Sequence, residues 1–296
     1  MMPARHWIRP LSHLGINYVV KKIKEKDLID HSHRPSKFLL MAEGRAVYDA
    51  AAMIPMLALK KFLPQGDNHP VLVFPGFLAS SRSTRPLRQY IADLGYRAHR
   101  WKLGYNMGYS YKLHYGMRDR VTELVERYGE KISLVGWSLG GVYARELARE
   151  MPDIVRQVVT MGSPFRGHPS SSNVYKIFNM FTEVPYDEMP MSFLQDMAHP
   201  PPVPTTALYT RGDGVVAWQS TVEISDRDDV ENIHVGGAHM GLGFNPRVLF
   251  VLADRLAQPE GQWRPFKPHF CMKPLFRNWY PDWLVHGNEN PLEVSR

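Results

Sequence analysis

The chain has 296 residues, 44% apolar and 22% charged, the balance of an ordinary globular protein long enough to bury one large core. Its single cysteine, Cys271, excludes an internal disulfide and a cysteine-rich metal cluster. The net charge is +7, and residues 1–40 contribute eight Lys or Arg to it against Glu25, Asp27 and Asp30.

Residues 1–42 therefore read as a basic N-terminal arm. Such an arm is either a solvated tail or a contact with an anionic membrane surface. It has no nucleic-acid motif, so a nucleic-acid partner is not expected. The first thirty residues lack the continuous apolar core and the small-residue cleavage site of a signal peptide. A reducing, cytoplasmic compartment fits these features, with membrane association through the arm left open; a disulfide-free secreted protein would look the same. His31 and His33 flank a serine without further ligands nearby, so no metal site is expected.

Glu43 to Leu63 reads as a helix, with Val47, Ala51, Ile54 and Leu57 at helical spacing. Pro64-Gln65-Gly66-Asp67-Asn68 breaks it. Ala46 to Leu63 is the longest apolar region, but Asp49, Lys60 and Lys61 disqualify it as a membrane span. It is left to lie flat on a membrane or to cover a site.

An alternation of strand and helix then runs over residues 70–256. Strands are expected at Val71–Phe74, Tyr96–Trp101, Ile132–Val135, Gln157–Met161, Thr205–Tyr209 and Ile233–Val235. Helices are expected from about Pro86 to Gly95 with Thr84 as cap, around Leu113 to Tyr128, after Gly141, and from Pro246 to Leu256. This rhythm predicts a mostly parallel central sheet with helices on both faces. Residues 165–203 interrupt it with a run rich in Phe, Met and Pro.

The chemistry centres on Gly136-Trp137-Ser138-Leu139-Gly140. It lies between an apolar strand and a helix and matches G-x-S-x-G. That context holds a serine on a strained turn, above the sheet and at a helix N-terminus. A serine hydroxyl needs a histidine base, and the histidine needs an acid to set its tautomer. Asp213 follows the strand Thr205–Tyr209 and is the candidate acid; Asp226, Asp228 and Asp229 sit in a polar run away from a strand end. His239, on a loop of small residues past the last strand, is the candidate base; His234 competes from within the strand. An oxyanion needs two N–H donors. Leu139, after the serine, and Phe77, after Pro75-Gly76, stand in the right places.

The chain resembles α/β-hydrolase fold lipases and esterases, and within them a lipase-like bacterial group with Pro-Gly-Phe-Leu at the oxyanion loop. The matching stretches are Val71–Leu78, Leu103–Gly108, Ser133–Leu147, Gly162–Pro164, Asp213–Val216 and Gly237–Gly243, within roughly residues 70–265. The resemblance implies a serine carboxylester hydrolase with a Ser138–Asp213–His239 triad, an acyl-enzyme intermediate, and a small-molecule or lipid ester as substrate. No metal or organic cofactor is implied. Many such lipases carry His-Gly where this chain has Pro75-Gly76, which leaves the backbone donor but removes that histidine's contacts. The same triad would serve an acyltransferase, and the same fold a non-catalytic binding scaffold.

The resulting organisation is an arm over 1–42, an α/β-hydrolase domain over 43–265, a cap insertion over 165–203, and an aromatic tail over 266–296. Within the insertion Phe178, Phe181 and Met191, with Trp137 beside the serine, are the expected substrate contacts. Ordinary packing of short helices is the other reading of those residues. The tail, with Phe266, Phe270, Phe276, Trp279, Tyr280 and Trp283 and with Trp263 just before it, is expected to pack back on the body.

Overall fold

The computed structural model describes residues 33–183, 191–268 and 276, apart from the side chains of 169 and 191–193. Most of the basic arm, including His31, lies outside the described residues. So do Met189, Phe270, Cys271, Trp279, Tyr280 and Trp283.

Two helices precede the sheet, α1 (Lys37–Met41) and α2 (Ala46–Leu59), joined by a 3-10 turn over Ala42–Arg45. Then follow β1 (Pro70–Phe74), α3 (Arg85–Asp93), β2 (Arg97–Arg100), α4 (Tyr111–Tyr128), β3 (Ile132–Trp137), α5 (Leu139–Glu150) and β4 (Val155–Met161). The insertion between β4 and β5 (Thr205–Tyr209) holds α6 (Tyr175–Phe181) and α7 (Met191–Ala198); β6 (Val230–His234) and α8 (Pro246–Leu256) close the domain. The sheet has the order β2-β1-β3-β4-β5-β6, and every pairing is parallel.

Parallel strands buried on both faces read as continuous apolar runs, which is why β1, β3 and β4 are legible in the sequence. Successive side chains alternate between faces. In β1, Val71 and Val73 join Leu87, Tyr90 and Ile91 of α3 and Val248 and Leu252 of α8 on one face. Leu72 and Phe74 meet Met117, Val121 and Leu124 of α4 and Leu147 of α5 on the other.

After β1 the chain moves outward to β2, then returns across β1 to lay down β3 through β6. The direction of strand addition reverses between β1 and β3. At such a point the loops leaving the carboxyl ends diverge and open a crevice, the favoured ligand position in open α/β sheets. The loop after β1 carries Phe77, and the turn after β3 carries Ser138.

Three local expectations are revised. Thr84 precedes α3, but its hydroxyl donates back to the Ser81 carbonyl (3.3 Å) instead of capping the helix. The strand expected at Ile233–Val235 runs Val230–His234, its polar Glu231 and Asn232 having concealed it. On α2, Val47 and Ile54 face solvent, while Met53 and Met56 are buried. This helix is apolar on nearly every side, so periodicity could not select its inner face. In the tail, Phe266 and Phe276 pack against each other and against Phe250 of α8.

Candidate active site

Ser138 occupies the turn between β3 and α5 with φ 54° and ψ −127°. A non-glycine residue rarely adopts positive φ, and such strain, on the order of 1–3 kcal/mol, persists only where the surroundings over-determine it. Here they do. The Ser138 N–H donates to the Met161 carbonyl at the end of β4 (2.8 Å), and Gly141 N–H donates to the Ser138 carbonyl (2.9 Å). At Gly136 a side chain would run into the Gly141 backbone, so the glycine permits the tight return of helix on strand.

The hydroxyl of Ser138 lies 3.0 Å from His239 Nε2, and His239 Nδ1 lies 2.5 Å from Asp213 Oδ2. The other Asp213 oxygen accepts the N–H groups of Val215 and Val216, both at 2.8 Å, which fixes the carboxylate plane. His239 and Asp213 are both buried. Burial alone disfavours the imidazolium. The adjacent Asp213 carboxylate, its hydrogen bond and the charge of Glu43 outweigh that cost and raise the His239 pKa above the ordinary histidine value. His234, the competitor, sits at the end of β6 with its ring against Tyr209.

The loop after β1 comes close beneath the serine: a Cβ placed on Gly76 would lie 3.2 Å from Ser138 Cβ. Two residues on, Leu78 also has positive φ (58°). Leu78 N–H donates to the Asn106 carbonyl (2.7 Å) and Ala79 N–H to the Gly76 carbonyl (3.2 Å). Phe77 N–H, just before them, donates to no backbone acceptor among the described residues. Leu139 is the first residue of α5, so its N–H has no carbonyl one turn back. Asn106, fully buried, braces the loop, its Nδ2 donating to the Pro75 carbonyl (2.9 Å).

A cleft of about 60 Å³ opens beside Ser138, walled by Phe77, Leu139, Val142, Val174, Phe178 and Val216. Phe178 packs edge-on against Phe77 with centroids 5.4 Å apart. Phe181 stands 6.4 Å from Phe77 and is half exposed, outside the cleft wall. The side chain of Met191 lies outside the described residues. Trp137, expected at the substrate, is instead buried on the far side of the turn. Its ring packs edge-on to Phe244, and its Nε1–H donates to the His239 carbonyl (3.1 Å). Strand alternation explains this, because the residue before the serine points to the opposite face. Sequence reasoning also missed Glu43, Arg45 and Asp49, which reach the Asp213 and His239 loops from the segment before β1.

No family model matches the chain. Over 102 residues it is 28% identical to the pimeloyl-[acyl-carrier protein] methyl ester esterase of Aliivibrio salmonicida, a stretch covering 33% of this chain and 38% of that protein. The matched segment thus spans well under half of that relative. Aspergillus fumigatus lipase B superposes with a TM-score of 0.51 at 16% identity, over 66% of this chain and 54% of that one. Bacillus licheniformis lipase BlEst2 in its mature form gives a TM-score of 0.49 at 15% identity, over 66% and 94%. The protein has the α/β-hydrolase fold, shared with lipases and esterases. A fold of this kind hosts many activities, so the chemistry rests on the site itself.

Proposed function

We propose that this protein is a serine carboxylester hydrolase of the esterase or lipase type. The observation that carries the reading is the hydrogen-bonded line from Asp213 through His239 to a strained Ser138 at the switch point of the sheet. Ser138 Oγ attacks the ester carbonyl carbon as His239 Nε2 takes its proton. The carbonyl oxygen becomes an oxyanion held by the Phe77 and Leu139 N–H groups. Collapse breaks the bond to the alcohol oxygen, which leaves with the proton from His239. Water, deprotonated by the same nitrogen, then attacks the acyl-enzyme and restores Ser138. Asp213 holds His239 with Nε2 free to accept.

The apolar cleft is the acyl subsite. Its volume of about 60 Å³ has room for a few waters, hence for a short acyl chain. Esters of short acids are the expected substrates. A small alcohol half is the companion expectation, since the relative above is named for a methyl ester.

The test is hydrolysis of p-nitrophenyl esters of increasing acyl length by wild type and Ser138→Ala. Turnover by wild type alone, greatest at short chain lengths, supports the reading. Fluorophosphonate labelling of Ser138 without any turnover would move the substrate class, and diversion of the acyl group to added alcohol would favour a transferase. Failure of both turnover and labelling would leave a binding scaffold.

Peripheral contact with an anionic membrane is a proposal carried by α2. No described helix is long and apolar enough to cross a membrane. Val47 and Ile54 of α2, and Phe62 in the 3-10 turn that follows it, are each more than 60% exposed, with Lys61 directly before Phe62. Sedimentation with anionic vesicles should be lost in the pair Ile54→Glu and Phe62→Glu. Equal binding by wild type and the pair, or none by wild type, would remove the idea.

A further inference from the structure

The acid and the base stand on different loops, joined by their own hydrogen bond and by Thr210 Oγ1, which donates to the Gly237 carbonyl (2.7 Å). A further and more extensive tie comes from the segment before β1. Glu43, on the 3-10 turn between α1 and α2, is only 8% exposed. Its Oε1 accepts the N–H of Gly214 (2.8 Å) and of His239 itself (3.1 Å), while Oε2 accepts the N–H of Met240 (2.8 Å). Gly214 directly follows the candidate acid. One buried carboxylate therefore ties the backbone beside Asp213 to the backbone of His239.

Arg45, two residues on, works from the carbonyl side. Its Nη2 donates to the Gly212 carbonyl and to the Gly237 carbonyl (3.2 Å), just before the acid and just before the base. Asp49, on α2, accepts from Asn245 Nδ2 (2.8 Å) at the far end of the same histidine loop. The loops are shaped to admit this segment. At Gly214 a side chain would strike the Leu39 carbonyl, and at Gly241 it would strike the Asp49 carboxylate. The small residues around Asp213 and His239 thus make room for residues 39–49.

We infer that Glu43 is a positioning residue of the hydrolytic site, a carboxylate that holds the Asp213 and His239 loops in the register that the triad requires. The inference rests on the reading of Ser138, His239 and Asp213 given above. With the Glu43 tie removed, the 2.5 and 3.0 Å contacts would be freer to drift, and a displacement of about 1 Å at a reacting group costs roughly a hundredfold in rate. Backbone N–H groups buried at a loop require an acceptor, and a carboxylate offers two oxygens to three of them. The charged groups acting on His239 are Asp213 after β5 and Glu43 from the N-terminal segment; Asp49, beside the same loop, is in turn faced by Arg45 and by Arg247 at the start of α8.

The experiment compares wild type, Glu43→Gln, Glu43→Asp and Ser138→Ala, each checked for folding by circular dichroism and a thermal melt. Three readouts are taken: kcat and KM on p-nitrophenyl butyrate, the pH profile of kcat/KM, and the NMR titration of the His239 imidazole without substrate. In Glu43→Gln the amide nitrogen would face a backbone N–H, so kcat should fall about ten- to a hundredfold with KM within about twofold. Loss of the negative charge should move the acid limb and the imidazole titration to lower pH. Glu43→Asp should keep the titration near wild type with only part of the loss in kcat. A folded Glu43→Gln variant with wild-type kcat and an unmoved titration would overturn the inference. Should Glu43→Gln fail to fold, Glu43→Asp decides: full wild-type kcat there would equally overturn it. If wild type neither turns over ester nor reacts with a fluorophosphonate, the hydrolase reading fails, and the His239 titration alone still decides whether Glu43 acts on the histidine.

Discussion

The indole N–H of Trp137 donates to the backbone carbonyl of His239 at 3.1 Å, so the residue before the candidate nucleophile supports the loop of the candidate base. The bond crosses the end of the sheet. The serine thus projects on one side while its neighbour braces the histidine from the other.

Trp137→Phe keeps an aromatic ring and removes that donor. A neutral hydrogen bond of this kind is worth about 1 kcal/mol, and the His239 carbonyl would be left without it. The expected outcome is a several-fold fall in kcat with KM for short esters unchanged, since Trp137 does not line the cleft. Phe178→Ala should do the opposite, raising KM because Phe178 walls the acyl subsite. Steady-state kinetics on p-nitrophenyl acetate and butyrate separate the two, and a matching KM effect in both variants would place Trp137 at the substrate after all.

The second prediction concerns pH. His239 must be neutral to accept the serine proton, and its folded pKa is raised. The acid limb of kcat/KM should therefore lie above the ordinary imidazole value of about 6.5, with activity lost as pH falls through it. Asp213→Asn removes both the charge and the tautomer control. It should lower kcat by about four orders of magnitude at neutral pH and move the limb downward. A limb at or below about 6 in wild type would contradict the electrostatics described above.

What the sequence disclosed follows from where each signal resides. Gly136–Gly140, Asp213-Gly214 and Gly237-Ala238-His239 are short strings in which the chemistry and the turn that presents it are neighbours in the chain. The buried strands announce themselves as apolar runs, whereas β6 at the sheet edge does not, because Glu231 and Asn232 interrupt it. Glu43 is invisible for a different reason. Its partners lie 171 to 197 residues away, and a carboxylate before an apolar helix looks like any first-turn acid. Trp137 is misplaced because adjacency in the chain does not bring adjacency in the cleft when strand side chains alternate between faces.

A third prediction tests how the insertion is anchored. Arg145 of α5 pairs with Glu223, and both side chains are fully buried. The Arg145 guanidinium also lies 3.7 Å from the Phe165 ring centroid and donates to the carbonyls of Met197 (3.2 Å) and His199 (2.7 Å). Removing one partner of such a pair strands the other charge in a site that water does not reach. Glu223→Ala should destabilise the fold by about 3–5 kcal/mol, whereas the paired replacement Arg145→Met with Glu223→Leu should cost far less. Urea melts of the two variants decide it; equal losses would show that the ion pair itself, rather than the stranded charge, sets the energy.

Acid stability supplies the fourth prediction. Burial, reinforced by Arg120 and Arg127, lowers the His99 pKa to about 4; burial with Arg149 and Arg145 lowers that of His199 to about 4. An unfolded histidine titrates near 6.5, by the ordinary value of about that size. Above it both states are neutral and the two residues have no effect on the pH dependence. As pH falls from about 6.5 toward 4, the unfolded chain binds protons that the folded chain refuses, so stability is lost across that window. The urea midpoint should therefore drop between about pH 7 and pH 5. In the double variant His99→Phe and His199→Gln the drop should shrink, because neither site can then discriminate between the states by protonation. The His199 carbonyl that accepts from Arg145 and Arg149 is retained in that variant, which keeps the comparison on the imidazole alone. An undiminished drop in the double variant would assign the acid sensitivity elsewhere, with His69 next in line, since burial lowers its pKa as well.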